Sequence, residues 1–411
     1  MRFWFVPACL ALCLGSCLMD SPAKSTSAGS ELEFNYWLLG KVYFFDDLPE
    51  NTFTTTSALY AAIPDKYTRY SEPSTADSTE TSLTTSIIPG GIGITLASYS
   101  GETYPLKVYR VYPESPAERA GIPRYATLLD LNGTSLEGDT QGSTYTAALN
   151  AADSVYLTYA YEGDTVTAAM KKETIYAPTV FLDTLTTGHQ LLTITEFASS
   201  TYDRTNGTVG ELETLAGDLD LGQKIVIDVR SNPGGSLSQC IAAADLFIES
   251  GTLLQIQEKL LYSSGESKLK TLTYEASAGG AGEGGSYLLF FNSSTASCGE
   301  VFSMALMRNS ESVETVGTTT YGKGIGQSVY HTQAGGLAII TSMQLYDGEG
   351  ETYHGVGLDP DYECETANSS CLYSALSSAA AKQSLGSFEI LMPERKAALA
   401  GAFAERDIPE E

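Results

Sequence analysis

Twice in this chain a short apolar run passes through a polar corner directly into a helical pattern. Lys224–Val229 (KIVIDV) leads into Arg230-Ser231-Asn232-Pro233-Gly234-Gly235 and then a helical stretch, Ser236–Glu249. Tyr287–Phe291 (YLLFF) leads into Asn292–Gly299 and then Val301, Phe302, Ala305 and Leu306 at helical spacing. Short continuous apolar runs fit strands buried on both faces, and strands alternating with helices imply parallel crossover units. Chemistry in such sheets collects beyond the carboxyl ends of strands, which is where both corners fall.

A chain of 411 residues exceeds one ordinary core, so two or three domains are expected. With 43% hydrophobic and 18% charged residues the composition is that of a folded protein, and 25 Tyr lean it toward strands. A formal net charge of −27 argues against nucleic acid or an anionic membrane surface as a partner, because no basic stripe is there to neutralise phosphates.

The N-terminus has Arg2, an apolar run Phe3–Leu14 and the small-residue site Leu14-Gly15-Ser16-Cys17. Leu-Gly-Ser-Cys resembles a bacterial lipobox. That resemblance implies cleavage before Cys17, lipid on its thiol and residence in the bacterial cell envelope, on the periplasmic or surface face of the outer membrane. Residues 17–30 then read as a lipidated, Ser-rich tether. Cys364 and Cys371 are close enough in sequence to pair in an oxidising compartment. His189, His331 and His354 are scattered and there is no CxxC, so neither a metal nor a cofactor is expected. Gly280–Gly285 matches G-x-G-x-x-G but precedes a strand, which removes the dinucleotide reading.

Residues 31–89 read as an N-terminal helical region, with Phe34, Trp37, Leu38, Val42 and Phe45 at near-helical spacing. From Gly90 the pattern changes: Gly91-Ile92-Gly93-Ile94 opens a strand, followed by Lys107–Tyr112, a helix signal at Ser115–Ile122 and a strand and turn at Leu128–Gly133. This order resembles a PDZ domain over residues 90–172. The resemblance implies that Gly91, Ile92, Gly93 and Ile94 bind a peptide C-terminus while the next strand accepts the peptide by β-augmentation. The chain departs from that family at Tyr125-Ala126, where Gly-Asp is usual. The tail 372–411 is expected to be helical over Leu372–Gln383 and Glu394–Glu405, and either to pack on the core or to support self-association.

Read alone, Ser297 is a helix cap: with Glu300 three residues on, it forms a capping-box pattern. The sharper alternative is a hydroxyl exposed on a strand-to-helix corner, as a nucleophile requires. Such a hydroxyl needs a base, and no histidine lies in a segment with a matching acid. Lys323, set between glycines in Gly322-Lys323-Gly324-Ile325-Gly326-Gln327, would serve if burial kept its amine neutral. Cys298 is a rival nucleophile, although a small packed thiol is the expected role.

The ordered set Asp228–Gly235, Thr295–Glu300 and Gly322–Gln327, with a PDZ-like segment upstream and Gly355–Asp361 downstream, resembles the carboxyl-terminal processing proteases of the S41 family. The likeness runs over about residues 31–365. It implies Ser297 as nucleophile, Lys323 as general base and Gln327 as the residue holding the amine. It also implies oxyanion donors at Cys298 and in the Gly234-Gly235 turn. The expected architecture is α+β and multidomain: signal peptide 1–16, tether 17–30, helical region 31–89, PDZ-like domain 90–172, a core of the S41 (ClpP/crotonase-like) type at 173–371, and the tail. The expected activity is a lipid-anchored serine endopeptidase acting on proteins or peptides. The alternative is a catalytically silent peptide-binding lipoprotein on the same scaffold.

Overall fold

The structure is a computed structural model, and it describes residues 18–19, 29–185, 187–364, 376 and 388–391. At its centre lies a six-stranded sheet. The hairpin Val180–Thr184/Gln190–Ile194 forms one edge, and Lys224–Asp228, Ser286–Phe291, Val313–Gly317 and Tyr362–Glu363 follow in sequence order, each parallel to the last. The crossovers carry helices Gly207–Ala216, Leu237–Asp245 and Cys298–Asn309. Right-handed crossovers between strands in sequential order put their helices on one face. The strands alternate accordingly. Ile225, Ile227, Tyr287, Leu289 and Phe291 join the core with Val301, Phe302 and Leu306, while Val226, Leu288, Phe290 and Val316 form a separate apolar layer.

A second, mostly antiparallel sheet closes the other side of the helices. It is built from Thr252–Leu261, Ser267–Glu275, Ile325–His331 and Leu337–Tyr346. Its Leu254, Ile256, Met343 and Leu345 share the main core. Its outer face is covered by helix Glu31–Val42 through Phe34, Leu38, Leu39 and Val42 against Leu261, Tyr330, Ala338 and Ile340. Strand Arg69–Ser71 adds to this sheet beside Leu337–Ile339. The region 31–89, expected to be helical, holds helices Glu31–Val42, Thr56–Ala61 and Ala76–Thr84 together with strands Arg69–Ser71 and Ile87–Gly91, and its first helix is a layer of the core.

The segment expected to be PDZ-like folds as an antiparallel sheet of Ile94–Tyr99, Leu106–Val111, Thr127–Leu131, Ser154–Tyr161 and Asp164–Lys171, around a core with Leu96, Val108, Leu128, Tyr145 and Val155. It hangs from the rest by a two-stranded ribbon, Ile87–Gly91 against Glu173–Tyr176. Tyr125, where the PDZ family usually has Gly, holds a left-handed backbone at φ +67°, the conformation that explains a preference for Gly.

Within the tail, Phe388–Leu391 is a strand, where the sequence pattern suggested only a break between helices. It runs antiparallel to Ile94–Tyr99, with Leu391 opposite Leu96 and Phe388 opposite Tyr99. The predicted helix Glu394–Glu405, nearly all of Leu372–Gln383, Cys17 and Cys371 lie outside the described residues. Cys364 is disulfide-bonded. Among the described residues no helix is long and apolar enough to cross a membrane, and no group of His, Cys, Asp and Glu could hold a metal.

Candidate active site

Both corners lie beyond the carboxyl ends of neighbouring parallel strands and are laced to each other. Asn292 Oδ1 accepts the Ser231 N–H at 2.8 Å, Thr295 Oγ1 donates to the Val229 carbonyl at 2.9 Å, and the Ala296 N–H donates to the Asn232 carbonyl at 2.9 Å. Asn232, fully buried, donates through Nδ2 to the Ile194 carbonyl and accepts the Gly234 N–H, each at 2.9 Å. Asp228 and Arg230 form a two-bond ion pair, at 2.9 and 2.7 Å, that braces the first turn, and the guanidinium lies 4.0 Å from the Phe290 ring centroid.

At the second corner Ser297 holds φ +55° and ψ −120°. A non-glycine residue in that region costs about 1–3 kcal/mol and persists only when its surroundings enforce it. Here the Ser297 carbonyl accepts the N–H groups of Glu300 and Val301 at 2.8 and 2.9 Å, and its own N–H goes to Glu300 Oε2 at 2.9 Å. Gly234 presses against the corner from the other turn: a Cβ there would lie 2.7 Å from Ser297 Cβ and 2.8 Å from the Cys298 nitrogen. With the Gly234 N–H committed to Asn232, the donors left near Ser297 are the N–H groups of Gly235 and Cys298. Among the described residues neither meets an acceptor. Of the three positions expected as oxyanion donors, Gly234 has its N–H held by Asn232 Oδ1, while those of Gly235 and Cys298 stay open among the described residues.

Cys298 is bonded to Cys240 (Cα–Cα 5.6 Å), which ties together the two helices that follow the corners. The expected free, packed thiol is thus corrected to a disulfide, and Cys298 has no thiolate with which to rival Ser297.

Glu300 is the residue the sequence reading underrated. Its carboxylate, fully buried, accepts the N–H groups of Ser297 (2.9 Å), Gly322 (2.6 Å) and Lys323 (2.8 Å) and the hydroxyl of Thr320 (2.6 Å). One oxygen, Oε2, receives both Ser297 and Lys323. The lysine loop is thereby hung from the helix that begins at the corner. Burial pushes the Glu300 carboxyl up from its ordinary value, and the four hydrogen bonds oppose that shift. The capping pattern in the sequence was a partial signal for this strut; its long-range partners left none.

Gly322, at φ +84°, lets its loop pass close to Gly355–Gly357, where a Cβ would lie 2.9 Å from the Gly357 nitrogen. Lys323 Nζ donates to Gln327 Oε1 at 2.9 Å and lies 4.6 Å from the centroid of the Tyr67 ring. Although part of the residue reaches solvent, its amine is shielded. Desolvation, followed by the nearby Arg69 cation, lowers it from 10.5 to about 8; Asp65 and Glu300 pull upward, and Lys66 adds to the lowering. Among the described residues no hydrogen bond joins Lys323 Nζ to Ser297 Oγ. Of the PDZ-like positions, Gly91 ends the ribbon strand, and Gly93 turns at φ +82° where a Cβ would meet Ser115. The carbonyls of Ile92 and Gly93 accept Ala117 and Tyr112 N–H groups, each at 2.9 Å.

Residues 190–364, which hold Asp228–Gly235, Ser297, Cys298, Glu300, Lys323 and Gln327, match the sequence profile of Peptidase family S41. The chain is 25% identical over 317 residues to the carboxy-terminal processing protease CtpA of Bacillus subtilis strain 168, covering 74% of this chain and 62% of that protein. It is 29% identical over 268 residues to a protein named as a CtpA-like serine protease in Staphylococcus aureus strain N315, covering 61% of this chain and 48% of the other. The chain thus spans about half to three-fifths of the length of these curated relatives. A crystal structure assigned to the S41 proteases of Bacteroides fragilis NCTC 9343 superposes with a TM-score of 0.55 at 15% identity, over 91% of this chain and 98% of that one, a likeness of fold. The likeness to peptidase family S41 is thus carried by residues 190–364, the α/β core with both corners and the lysine loop.

Proposed function

We propose that this protein is a serine endopeptidase in which Ser297 is the nucleophile and Lys323 its general base. The observation that carries the reading is the Glu300 carboxylate, whose Oε2 receives the main chains of both residues. A neutral Lys323 amine takes the Ser297 proton as the oxygen attacks a peptide carbonyl, and the Gly235 and Cys298 N–H groups receive the developing oxyanion. The resulting ammonium protonates the departing amine, and water repeats the sequence on the acyl-enzyme. The absence of a Ser297–Lys323 hydrogen bond fits a substrate-free site, since such contacts tighten in the Michaelis complex.

The PDZ-like sheet supplies the second half of the proposal. Its Ile94–Tyr99 edge accepts an extended segment antiparallel, the mode of β-augmentation, and Phe388–Leu391 of this chain is such a segment. Substrate peptides would be gathered there. Leu14–Cys17 supports export and a lipid anchor at Cys17, which radiolabelled palmitate incorporation into wild type but not Cys17→Ala would test.

Incubation with β-casein, an unfolded protein, tests the catalytic reading. Ser297→Ala and Lys323→Ala should each abolish fragments while keeping the wild-type melting transition. Unchanged cleavage by either variant would assign the chemistry to another residue, and no cleavage by the wild type would leave only a peptide-binding scaffold.

A further inference from the structure

The lysine site extends past the S41-matched residues into the N-terminal loop 64–69. Gln327 receives the Lys323 amine on Oε1, and its Nε2 donates to Thr341 Oγ1 at 3.1 Å. Thr341 Oγ1 in turn donates to Asp65 Oδ2 at 2.5 Å. The same carboxylate oxygen accepts Thr68 Oγ1 at 2.7 Å, Asp65 Oδ1 accepts the Tyr67 N–H at 3.0 Å, and Thr68 Oγ1 accepts the Thr341 N–H at 2.9 Å. The loop is therefore anchored to the strand that carries Thr341 by two independent contacts, 276 residues away in sequence for the first.

The polarity of this chain of groups decides something that distance alone does not. An ionised carboxylate only accepts, so the single hydroxyl proton of Thr341 is committed to Asp65. Thr341 can then only accept from Gln327, which forces the amide nitrogen toward Thr341 and the amide oxygen toward Lys323. A neutral amine has two N–H bonds and one lone pair. With one N–H held by the amide oxygen, the lone pair stays free for the serine proton. In the flipped amide the NH2 would donate into that lone pair and quench the base.

We infer that Asp65 and Thr341 are positioning residues of the reaction, locking the Gln327 amide in the orientation that leaves the Lys323 lone pair available. The inference rests on the Ser297/Lys323 reading. It makes the N-terminal loop a necessary part of the site, so residues 190–364 alone hold an incomplete base.

Thr341→Val removes the hydroxyl at nearly constant volume, and Asp65→Asn keeps the shape but lets the side chain donate, which releases Thr341 to donate to the amide oxygen. Both should lower kcat on a quenched-fluorescent casein by about 10- to 100-fold with little change in KM, a partial loss of the roughly 100- to 10,000-fold that a general base contributes. Thr341→Ser should recover most of the loss. The groups facing Lys323 are Asp65, Lys66, Tyr67 and Arg69 from the loop, Glu300 from the helix and Gln327 from its own strand. Only Asp65→Asn changes a charge among them, so it should move the pH midpoint of kcat/KM downward while Thr341→Val leaves it in place. Wild-type kcat in folded Thr341→Val, a loss carried wholly by KM, or equal damage in Thr341→Ser would overturn the inference. Ser297→Ala assayed in parallel separates the two levels: residual cleavage there counts against the serine reading itself, whatever Thr341 does.

Discussion

The two regions that would handle a peptide achieve it by opposite means. In the core, the site is a strained corner, a desolvated lysine and a buried glutamate, each unfavourable alone and each held by several hydrogen bonds. In the module expected to be PDZ-like the proposed site is a strand edge, where backbone N–H and C=O groups would pair with an extended segment and little is asked of side chains. The core site should therefore be brittle to single substitutions and sharply pH-dependent. The module site should tolerate substitution and respond mainly to competition for its edge.

Gly234→Ala is the severest test of that brittleness. The new methyl would meet Ser297 Cβ and the Cys298 nitrogen at a residue with φ +106°, so activity should vanish and stability fall by about 1–3 kcal/mol or more from backbone strain, as read by casein cleavage and urea melts. A Gly93→Ala protein should keep core turnover, since that glycine lies in the module; loss of turnover there would erase the distinction between the regions.

Glu300→Gln is next. An amide offers one accepting oxygen where the carboxylate offers two, so its NH2 must face donors among Ser297, Thr320, Gly322 and Lys323. A fall in kcat of about 100-fold is expected, because small misplacements of reacting groups have that effect. The melting temperature should drop as well, since charge-assisted bonds are lost.

The pH profile is milder. Lys323 works as a base only when neutral, and its amine is lowered to about 8. Roughly a tenth is neutral at pH 7 and most is neutral at pH 9, so kcat/KM should climb about tenfold across that interval. The sign is that of a depressed base: activity rises as pH passes 8 and falls below it. A flat profile would mean that a different group takes the proton.

The smallest effect belongs to the module. Deleting residues 386–411 vacates the Ile94–Tyr99 edge, and a fluorescent peptide matching residues 387–393 should then bind several-fold more tightly by polarisation, because the fraction of open edge rises. Equal affinity in the full chain and the deletion would mean that Phe388–Leu391 does not compete for that edge.

Much of this was written locally. The apolar runs at Lys224–Val229 and Tyr287–Phe291 prescribe buried parallel strands because continuous apolarity has no other economical home. Asn232–Gly235, Ser297–Glu300 and Gly322–Gln327 announce their turns because glycine and capping chemistry act within a few residues. The strand at Phe388–Leu391 was missed because its four residues carry no period long enough to distinguish it from a break. The Cys240–Cys298 bond was missed because pairing is a matter of which helices meet.

By itself, the amino-acid order determined the parallel crossovers of the core and the types of residue at the two corners, since these follow from short-range periodicity and backbone freedom. Only the tertiary structure decided that Glu300 joins Ser297 to Lys323 and that Asp65 reaches Gln327 through Thr341. Those links depend on desolvation and hydrogen-bond polarity between segments 23 residues apart in the first case and 276 in the second, and such properties exist only once the layers have closed around them.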